Sequence, residues 1–292
     1  DRCNHSSRDS APYLWTCNTV LILVIRLIDI GCSGFPEGLE KGSINEKLSE
    51  LNNMGFSAFE LQFLRSMDLS SSEISQFKEK SEEFSFSAHG PYQINLGSTK
   101  EKRISESVEW ILKSCEALEK IGGNLLVFHP GYYAVNKEET SRRIRKNLER
   151  ALTKLESEGL NIELGIETTA KKKQFGRLEE IGEVCKSLNY EVKPVVDFAH
   201  IHARTHGGLK TRKDFEDVLD MFEGRISKFH FHIACVKHED GEEVCHQPLE
   251  TKEPDFRPLI RELKSRNLDS TLILETPQPE RDLEILKSWI SE

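Results

Sequence analysis

The sequence lacks the features that mark several classes of protein. It has no low-complexity tract and no internal repeat, and only 10 of its 292 residues are proline, which argues against a disordered chain. Its formal net charge is −9, so it lacks the excess of Lys and Arg with which some proteins coat nucleic acid. These absences favour a soluble globular protein, although they leave room for a local basic face.

The cysteines also lack the pattern of a disulfide framework or a redox motif. They are odd in number, form no CxxC pair, and lie mostly in apolar or helical segments. This usage is typical of reduced thiols, and it predicts an intracellular protein of the cytoplasm or nucleoid. The seven residues are Cys3, Cys17, Cys32, Cys115, Cys185, Cys235 and Cys245.

No apolar run is long enough to cross a membrane. The most apolar segment is 19–30, TVLILVIRLIDI, but its uninterrupted run ends at Ile25, and Arg26 and Asp29 follow. A membrane span needs roughly 20 such residues, and no small-residue cleavage site is evident. We expect this segment to enter a first strand, with a targeting role as the alternative. Residues 1–24 would then be an N-terminal extension without an assigned role, before a barrel domain at 25–292.

Short apolar runs alternate with amphipathic stretches along the rest of the chain. Eight strands and eight helices in strict alternation predict a single-domain α/β fold, the (β/α)8 TIM barrel, which commonly needs about 250 residues. The predicted strands are 27–32, 58–63, 84–89, 125–129, 162–167, 195–197, 228–233 and 271–275. The predicted helices are 44–53, 71–83, 101–120, 137–158, 177–188, 212–222, 256–267 and 280–291.

Metal-binding residue types stand at six consecutive strand ends. In a barrel these ends meet at one face, where the active site lies. One such histidine is more often a packing residue and one such carboxylate a helix cap, but the joint pattern predicts a cluster of two or three divalent ions. Such a cluster binds phosphate oxygens and activates water without a nucleophilic side chain. The residues are His89, His129, Glu167, Asp197, His232 and Glu275, with His200 just beyond a strand and His246 on a loop.

The segments around these residues resemble endonuclease IV, the family of zinc-dependent apurinic/apyrimidinic endonucleases. The resemblance covers roughly 27–290. The segments that carry it are HGPYQINLG at 89–97, FHPG at 128–131, GIETTA at 165–170, VDFAH at 196–200, FH at 231–232, HQPL at 246–249 and LILETP at 272–277.

The resemblance implies a particular division of the ligands among Zn²⁺ ions, with Mn²⁺ as a possible substitute. His89, His129 and Glu167 would hold one ion, and Glu167 would bridge to a second ion held by Asp197, His232 and Glu275. Glu167 and Glu275 would also be the catalytic residues. His230, which shares a strand face with His232, either joins the site or packs inside the barrel.

The third site departs from the family pattern. The resemblance implies that His200 and His246 share an ion with an Asp two residues before His246, but position 244 is Val. Either another group replaces the missing carboxylate or the third ion is weak or absent. The replacements to consider are Glu243, Glu242, Asp240, His202 and water.

The resemblance also implies contacts to DNA from Arg65, Tyr92 and Asn95. The loop 62–65 and Tyr92 would enter the minor groove and push the abasic nucleotide out of the stack, unless Phe63 and Leu64 merely pack against a neighbouring loop. Basic residues after several strands predict a rim around the site, with a solvated loop as the alternative for the lysine run. They are Arg65, Lys171, Lys172, Lys173, Arg204, Lys210, Arg212, Lys213 and Lys237.

The implied activity is hydrolysis of double-stranded DNA on the 5′ side of abasic sites, which leaves a 3′-OH and a 5′-deoxyribose phosphate. No membrane and no obligate protein partner are implied. A single-metal sugar isomerase or epimerase is the main alternative, because Glu167, Asp197, His232 and Glu275 also resemble the ligand set of such barrels. The additional histidines favour the nuclease. A metal-stabilised DNA-binding scaffold without turnover is a third possibility, motivated by Val244.

Overall fold

The computed structural model describes residues 28–39, 41–63 and 67–292, and its central feature is a closed parallel barrel. The eight barrel strands lie next to one another in their order along the chain, and the last pairs with the first, which confirms the predicted (β/α)8 fold. The barrel strands are β1 Ile28–Ser33, β2 Ala58–Gln62, β3 Ser85–His89, β4 Leu125–Phe128, β5 Glu163–Glu167, β6 Val192–Asp197, β7 Phe229–Ile233 and β10 Ser270–Leu274.

Helices cover the outside of the barrel between successive strands. The first two begin at Ser43 and Ser70, each of which forms a capping box with a glutamate three residues later and so satisfies free amides of the first turn. The helices are α1 Ile44–Met54, α2 Ser71–Glu79, α3 Glu101–Lys120, α4 Lys137–Glu158, α5 Leu178–Ser187, α6 Phe198–Arg204, α7 Arg212–Asp220, α8 Arg257–Ser265 and α9 Pro279–Ser291, with a 3-10 turn at Leu249–Thr251.

The hydrophobic core lies between the barrel and these helices. Phe77 of α2, for example, packs edge-on against Phe86 of β3 with ring centroids 5.5 Å apart, and both side chains are buried. Burying one such ring contributes about 1.5–3 kcal/mol. Within the described ranges, no helix combines the length and the apolar character that a membrane span requires.

Two elements differ from the sequence-based expectation. The short helix α6 follows β6 directly, and an antiparallel ribbon of β8 (Cys235–Glu239) and β9 (Glu242–Gln247) follows β7. The prediction that His246 lies on a loop is therefore wrong, because His246 belongs to β9. The sequence does not predict the ribbon because its strands lack a continuous apolar run or a regular alternation of buried and exposed residues, but its Asp240-Gly241 turn, with φ angles of 51° and 74°, is a strong hairpin signal.

Other expectations fall outside the described residues. The structure does not describe the extension at 1–24, its boundary with the barrel domain, Leu64 or Arg65. What the sequence predicts for these residues therefore stays a prediction. Phe63 is described and buried, which confirms the packing alternative for this one residue of the loop.

Candidate metal centre

The carboxyl ends of the barrel strands form a cavity of about 390 Å³. All eight predicted ligands meet at or just beneath this cavity, as expected when parallel strands end at one face. Its lining includes His89, Tyr92, His129, Glu167, His200, His246 and Glu275. Asp197 and His232 lie deeper and are buried.

The first group of ligands converges on one oxygen of Glu167. Nε2 of His89 and Nε2 of His129 lie 3.1 and 2.9 Å from Oε2 of Glu167. Nδ1 of His89 lies 2.9 Å from the carbonyl oxygen of Gly90, which only an N–H can satisfy, so Nε2 is left as the ligand atom. Two ligands bound to one tetrahedral zinc ion are about 3.3 Å apart, which is close to these separations.

The second group converges on the other oxygen of the same carboxylate. Nδ1 of His232 lies 3.1 Å from Oε1 of Glu167 and 3.6 Å from Oε1 of Glu275. Asp197 completes the group: its Oδ1 accepts a hydrogen bond from the backbone N–H of His200. Its buried Oδ2 has no hydrogen-bond partner among the described residues. Glu167 is thus placed to bridge two cations.

A third group lies between α6 and the ribbon. It contains His200 and His246, together with Glu243, whose carboxylate lies against both histidines. Val244 is 51% exposed and contributes no ligand atom.

The buried polar layer beneath the cavity contains a residue that the sequence analysis missed. Glu60 of β2 is fully buried, accepts a hydrogen bond from the Ser87 hydroxyl at 2.9 Å, and lies 3.0 Å from Nε2 of His230 and 3.1 Å from Nε2 of His232. A carboxylate behind a ligating imidazole is a recurrent means of orienting the ring. The available signal was a charged residue in the middle of an otherwise apolar predicted strand. His230 packs inside the barrel and does not line the cavity.

These residues fit a divalent metal. Among the described residues, four sets of three have ligand atoms within 4.8 Å of one another: Glu60, His230 and His232; His89, His129 and Glu167; Asp197, His200 and His246; and Glu167, Asp197 and His232. Mixed imidazole and carboxylate donors suit zinc or manganese, and the buried Oδ2 of Asp197, which has no hydrogen-bond partner among the described residues, fits such a ligand set.

Comparison with known proteins places this arrangement in a family. Residues 48–292 match the model of the family described as xylose isomerase-like TIM barrel. The chain belongs to this family. An uncharacterised protein of Methanocaldococcus jannaschii is 33% identical over 272 residues, which are 91% of this chain and 98% of that protein. A probable endonuclease 4 of Clostridium botulinum is 26% identical over 208 residues, 68% of this chain and 73% of that protein.

Solved structures of two kinds share the fold. Endonuclease IV from Thermus thermophilus superposes with a TM-score of 0.68 at 20% identity, covering 90% of this chain and 98% of that one. A D-tagatose 3-epimerase-like protein superposes with a TM-score of 0.71 at 21% identity, covering 90% and 97%. The predicted resemblance to endonuclease IV within the xylose isomerase-like family is confirmed, whereas the activity is not decided by the fold.

In this xylose isomerase-like TIM barrel, the pKa values of the side chains at the centre depend on burial and on the neighbouring charges. Burial raises the pKa of Asp197 to about 6. Burial also acts to raise the pKa of Glu167, but the charges of His129 and His232 outweigh it and hold that pKa well below the usual value. Burial would lower the pKa of His232, yet Glu60, Glu275 and Glu167 together raise it well above the usual value.

The residues predicted to contact DNA have different surroundings. Tyr92 is 54% exposed at the cavity mouth, and its ring centroid is 5.5 Å from that of His89. Asn95 is half-buried outside the cavity lining, and its side-chain oxygen accepts a hydrogen bond from the backbone N–H of Tyr132 at 3.2 Å. Asn95 thus joins the loops after β3 and β4. Tyr132, also exposed in the cavity, was missed by the sequence analysis.

The predicted basic rim is smaller than expected. The Arg204 guanidinium donates to the backbone oxygens of Thr169 and Gln174, both at 3.0 Å, so it ties loops together and is not free to bind phosphate. Arg212, Lys213 and Lys237 pair with neighbouring carboxylates. The lysine run 171–173 is exposed, and Lys171 lines the cavity; Lys210 is also exposed.

Proposed function

We propose that the chain is a metal-dependent endonuclease that cleaves double-stranded DNA on the 5′ side of abasic sites and leaves a 3′-OH and a 5′-deoxyribose phosphate. The observation that carries this proposal is the position of Glu167, with two histidines on one carboxylate oxygen and His232 on the other. A centre that binds one metal ion would not need His89 and His129, the two histidines that lie against Oε2 of Glu167.

The relatives support the same function. The Clostridium botulinum relative is a probable endonuclease 4, and a Caenorhabditis elegans protein that is 27% identical over 207 residues is an apurinic-apyrimidinic endonuclease. The chain covers only 50% of the latter, so that likeness concerns the shared part alone.

Each group of the centre has a definable task in this reaction. Divalent ions, when bound, supply an activated water and neutralise the phosphate and the leaving oxygen. Glu167 and Glu275 supply negative charge to the centre. The Ser33 hydroxyl donates a hydrogen bond to Oε1 of Glu275 at 3.1 Å, which fixes the orientation of the Glu275 carboxylate. We assign to Tyr92, which is exposed beside His89, the task of occupying the space that a missing base leaves.

We assign two or three Zn²⁺ ions to the centre, with Mn²⁺ as a substitute, and an intracellular location. Imidazole donors favour zinc. The four buried described cysteines, Cys32, Cys115, Cys185 and Cys235, are free thiols, which is in keeping with a reducing compartment.

A single-metal sugar epimerase is the second candidate, favoured by the superposition on the D-tagatose 3-epimerase-like protein. Glu167, Asp197, His232 and Glu275 would hold the one metal of such an enzyme. His89, His129, His200 and His246 would then lack a task, which is why we place this candidate second.

The test is incubation of the zinc-loaded protein with an end-labelled duplex that contains one tetrahydrofuran abasic analogue, which a lyase cannot cleave. We expect one incision on the 5′ side, a product that a DNA polymerase extends, and loss of incision after chelation with recovery on zinc addition. An undamaged duplex is the control. Turnover of ketohexoses without incision would establish the epimerase instead, and binding of the abasic duplex without either reaction would establish a scaffold.

A further inference from the structure

The ribbon after β7 has an irregularity next to the position where the expected ligand is missing. Lys237 lies opposite Cys245, but the next residue, His238, lies opposite Glu243. Val244 is therefore an extra residue of β9 without a partner on β8, which makes a β-bulge.

The bulge changes which side chains share a face of β9. In a regular strand, residues two apart point to one face and residues three apart to opposite faces. Glu243 and His246 are three apart, yet Oε1 of Glu243 lies 3.4 Å from Nε2 of His246. The extra residue at Val244 thus turns Glu243 to the side of the ribbon that borders the cavity.

The carboxylate of Glu243 lies between the two histidines of the third group. Its Oε2 is 3.0 Å from Nε2 of His200, and its side chain is only 23% exposed. Two other candidates for replacing an Asp at 244 are engaged elsewhere. Glu242 accepts a hydrogen bond from the backbone N–H of Lys172, and Nε2 of His202 lies 3.3 Å from Oε2 of Glu253.

Both histidines present the same ring nitrogen to this carboxylate. Nδ1 of His200 lies 2.8 Å from the carbonyl oxygen of Thr168, and Nδ1 of His246 lies 2.8 Å from that of Glu275. A carbonyl oxygen requires an N–H, so in a neutral ring Nε2 carries the lone pair. In that state the Nε2 lone pair of each histidine faces the carboxylate of Glu243. Nε2 of His246 is also buried without a hydrogen-bond partner among the described residues.

We propose that Glu243 is the carboxylate ligand of a third divalent ion, which it holds together with His200 and His246 in place of the missing Asp. Nε2 of His200, Nε2 of His246 and the Glu243 carboxylate are all acceptors that face one another. A cation between them would be bound by two imidazoles and one carboxylate, a ligand set typical of zinc. The proposal rests on the proposed function, because it completes the same metal centre. A proton on each Nε2 is the competing explanation.

The test is a count of bound zinc combined with its location. We expect three ions per chain in the unmodified protein, with an anomalous scattering peak at the zinc edge about 2.0–2.2 Å from a carboxylate oxygen of Glu243. In Glu243→Gln, which keeps the size of the side chain and removes its charge, we expect two ions, or a third whose affinity falls by at least about 10–100-fold. Glu239→Gln, on the exposed end of the same ribbon, should retain three.

Two results would overturn the proposal: at most two ions in the unmodified protein, or three ions with unchanged affinity in Glu243→Gln. The location of the peak decides the question even if the variant does not fold. The outcome is separable from the nuclease activity. Three ions without incision of the abasic duplex would contradict the proposed function alone, and incision with two ions would contradict the role of Glu243 alone.

Discussion

The candidate metal centre has two parts that differ in what holds them. His89, Glu167, Asp197 and His232 lie on barrel strands, which are hydrogen-bonded on both sides. His246 and Glu243 lie on a two-stranded ribbon outside the barrel, and β9 pairs only with β8. The first set is fixed by a closed sheet, the second by a hairpin and a few contacts.

This difference gives a physical reason for the place where the sequence departs from the pattern that its resemblance to endonuclease IV implies. Moving a strand of a closed barrel by one residue would turn its inward side chains outward. A ribbon accepts an extra residue as a bulge, which bends one strand without disturbing the sheet. The residues at the ends of barrel strands are therefore predictable position by position, whereas on the ribbon the sequence predicts His246 but leaves the carboxylate beside it open.

The largest effect is expected from a substitution of Glu167, which lies at the centre of the part held by the barrel strands. Glu167→Gln removes the charge that both oxygens present to the histidines, so we expect incision to fall by at least about 10³-fold and the bridged ions to be lost, while the barrel still folds. Incision rates, metal content and circular dichroism measure this.

Glu163→Gln is the matched control for that variant. Glu163 begins the same strand at its other end and pairs with Lys193 on the surface, so its loss should leave incision within about twofold, as surface pairs contribute little. Near-normal incision by Glu167→Gln would contradict the metal-cluster mechanism.

A smaller effect is expected from the layer beneath the centre. Glu60→Ala removes the carboxylate that lies against Nε2 of His230 and Nε2 of His232. We expect the affinity for zinc to fall about 10–100-fold, as is typical for groups behind a ligand, and Glu60→Gln to recover part of it. Competition with a fluorescent chelator measures the affinity. Unchanged affinity in a folded Glu60→Ala would show that Glu60 only fills space.

Zinc uptake should depend on pH through the strand-borne ligands. Burial raises the pKa of Asp197 to about 6, and the pKa of His232 is raised because Glu60, Glu275 and Glu167 outweigh its burial. His232 therefore keeps its proton to a higher pH than an ordinary imidazole and Asp197 gains one below about pH 6, whereas zinc requires both side chains deprotonated. We expect zinc affinity to fall by about tenfold per pH unit for each proton displaced as pH decreases.

Calorimetric titration of zinc into metal-free protein in two buffers with different ionisation enthalpies measures those protons. At least one proton should be released per chain at pH 7, and more at pH 5.5. An enthalpy that is the same in both buffers would mean that no protonated ligand exists.

The smallest effect is expected on the rim. Replacing Lys171, Lys172 and Lys173 with Ala should weaken DNA binding several-fold and reduce the slope of log affinity against log salt by about one unit for each phosphate that is no longer neutralised. The cleavage rate at saturating DNA should not change. The controls are Lys120 and Lys186, which are exposed near the C-terminal ends of α3 and α5. If their substitution weakens DNA binding equally, that result would argue against a local basic face.

The eight barrel strands and the residues at their ends followed from the sequence because burial on both faces makes barrel strands continuous apolar runs. Glu60 did not follow, since one charge within such a run says nothing about its distant partner, His232. Nor did the role of Asn95 or Arg204, whose types suit DNA contacts equally well. Their hydrogen bonds to backbone atoms of other loops depend on loop shapes that no periodicity encodes.

The attachment of the ribbon has a consequence for the timing of motion. A two-stranded hairpin is marginally stable by itself. In this one the Val236 N–H donates to the backbone oxygen of Glu253 in the loop that follows the ribbon, and Nδ1 of His246 lies against the backbone oxygen of Glu275 at the end of the last barrel strand. Opening of the ribbon withdraws His246 and Glu243 together, so exchange of β9 amide hydrogens with deuterium should slow when the third site is filled.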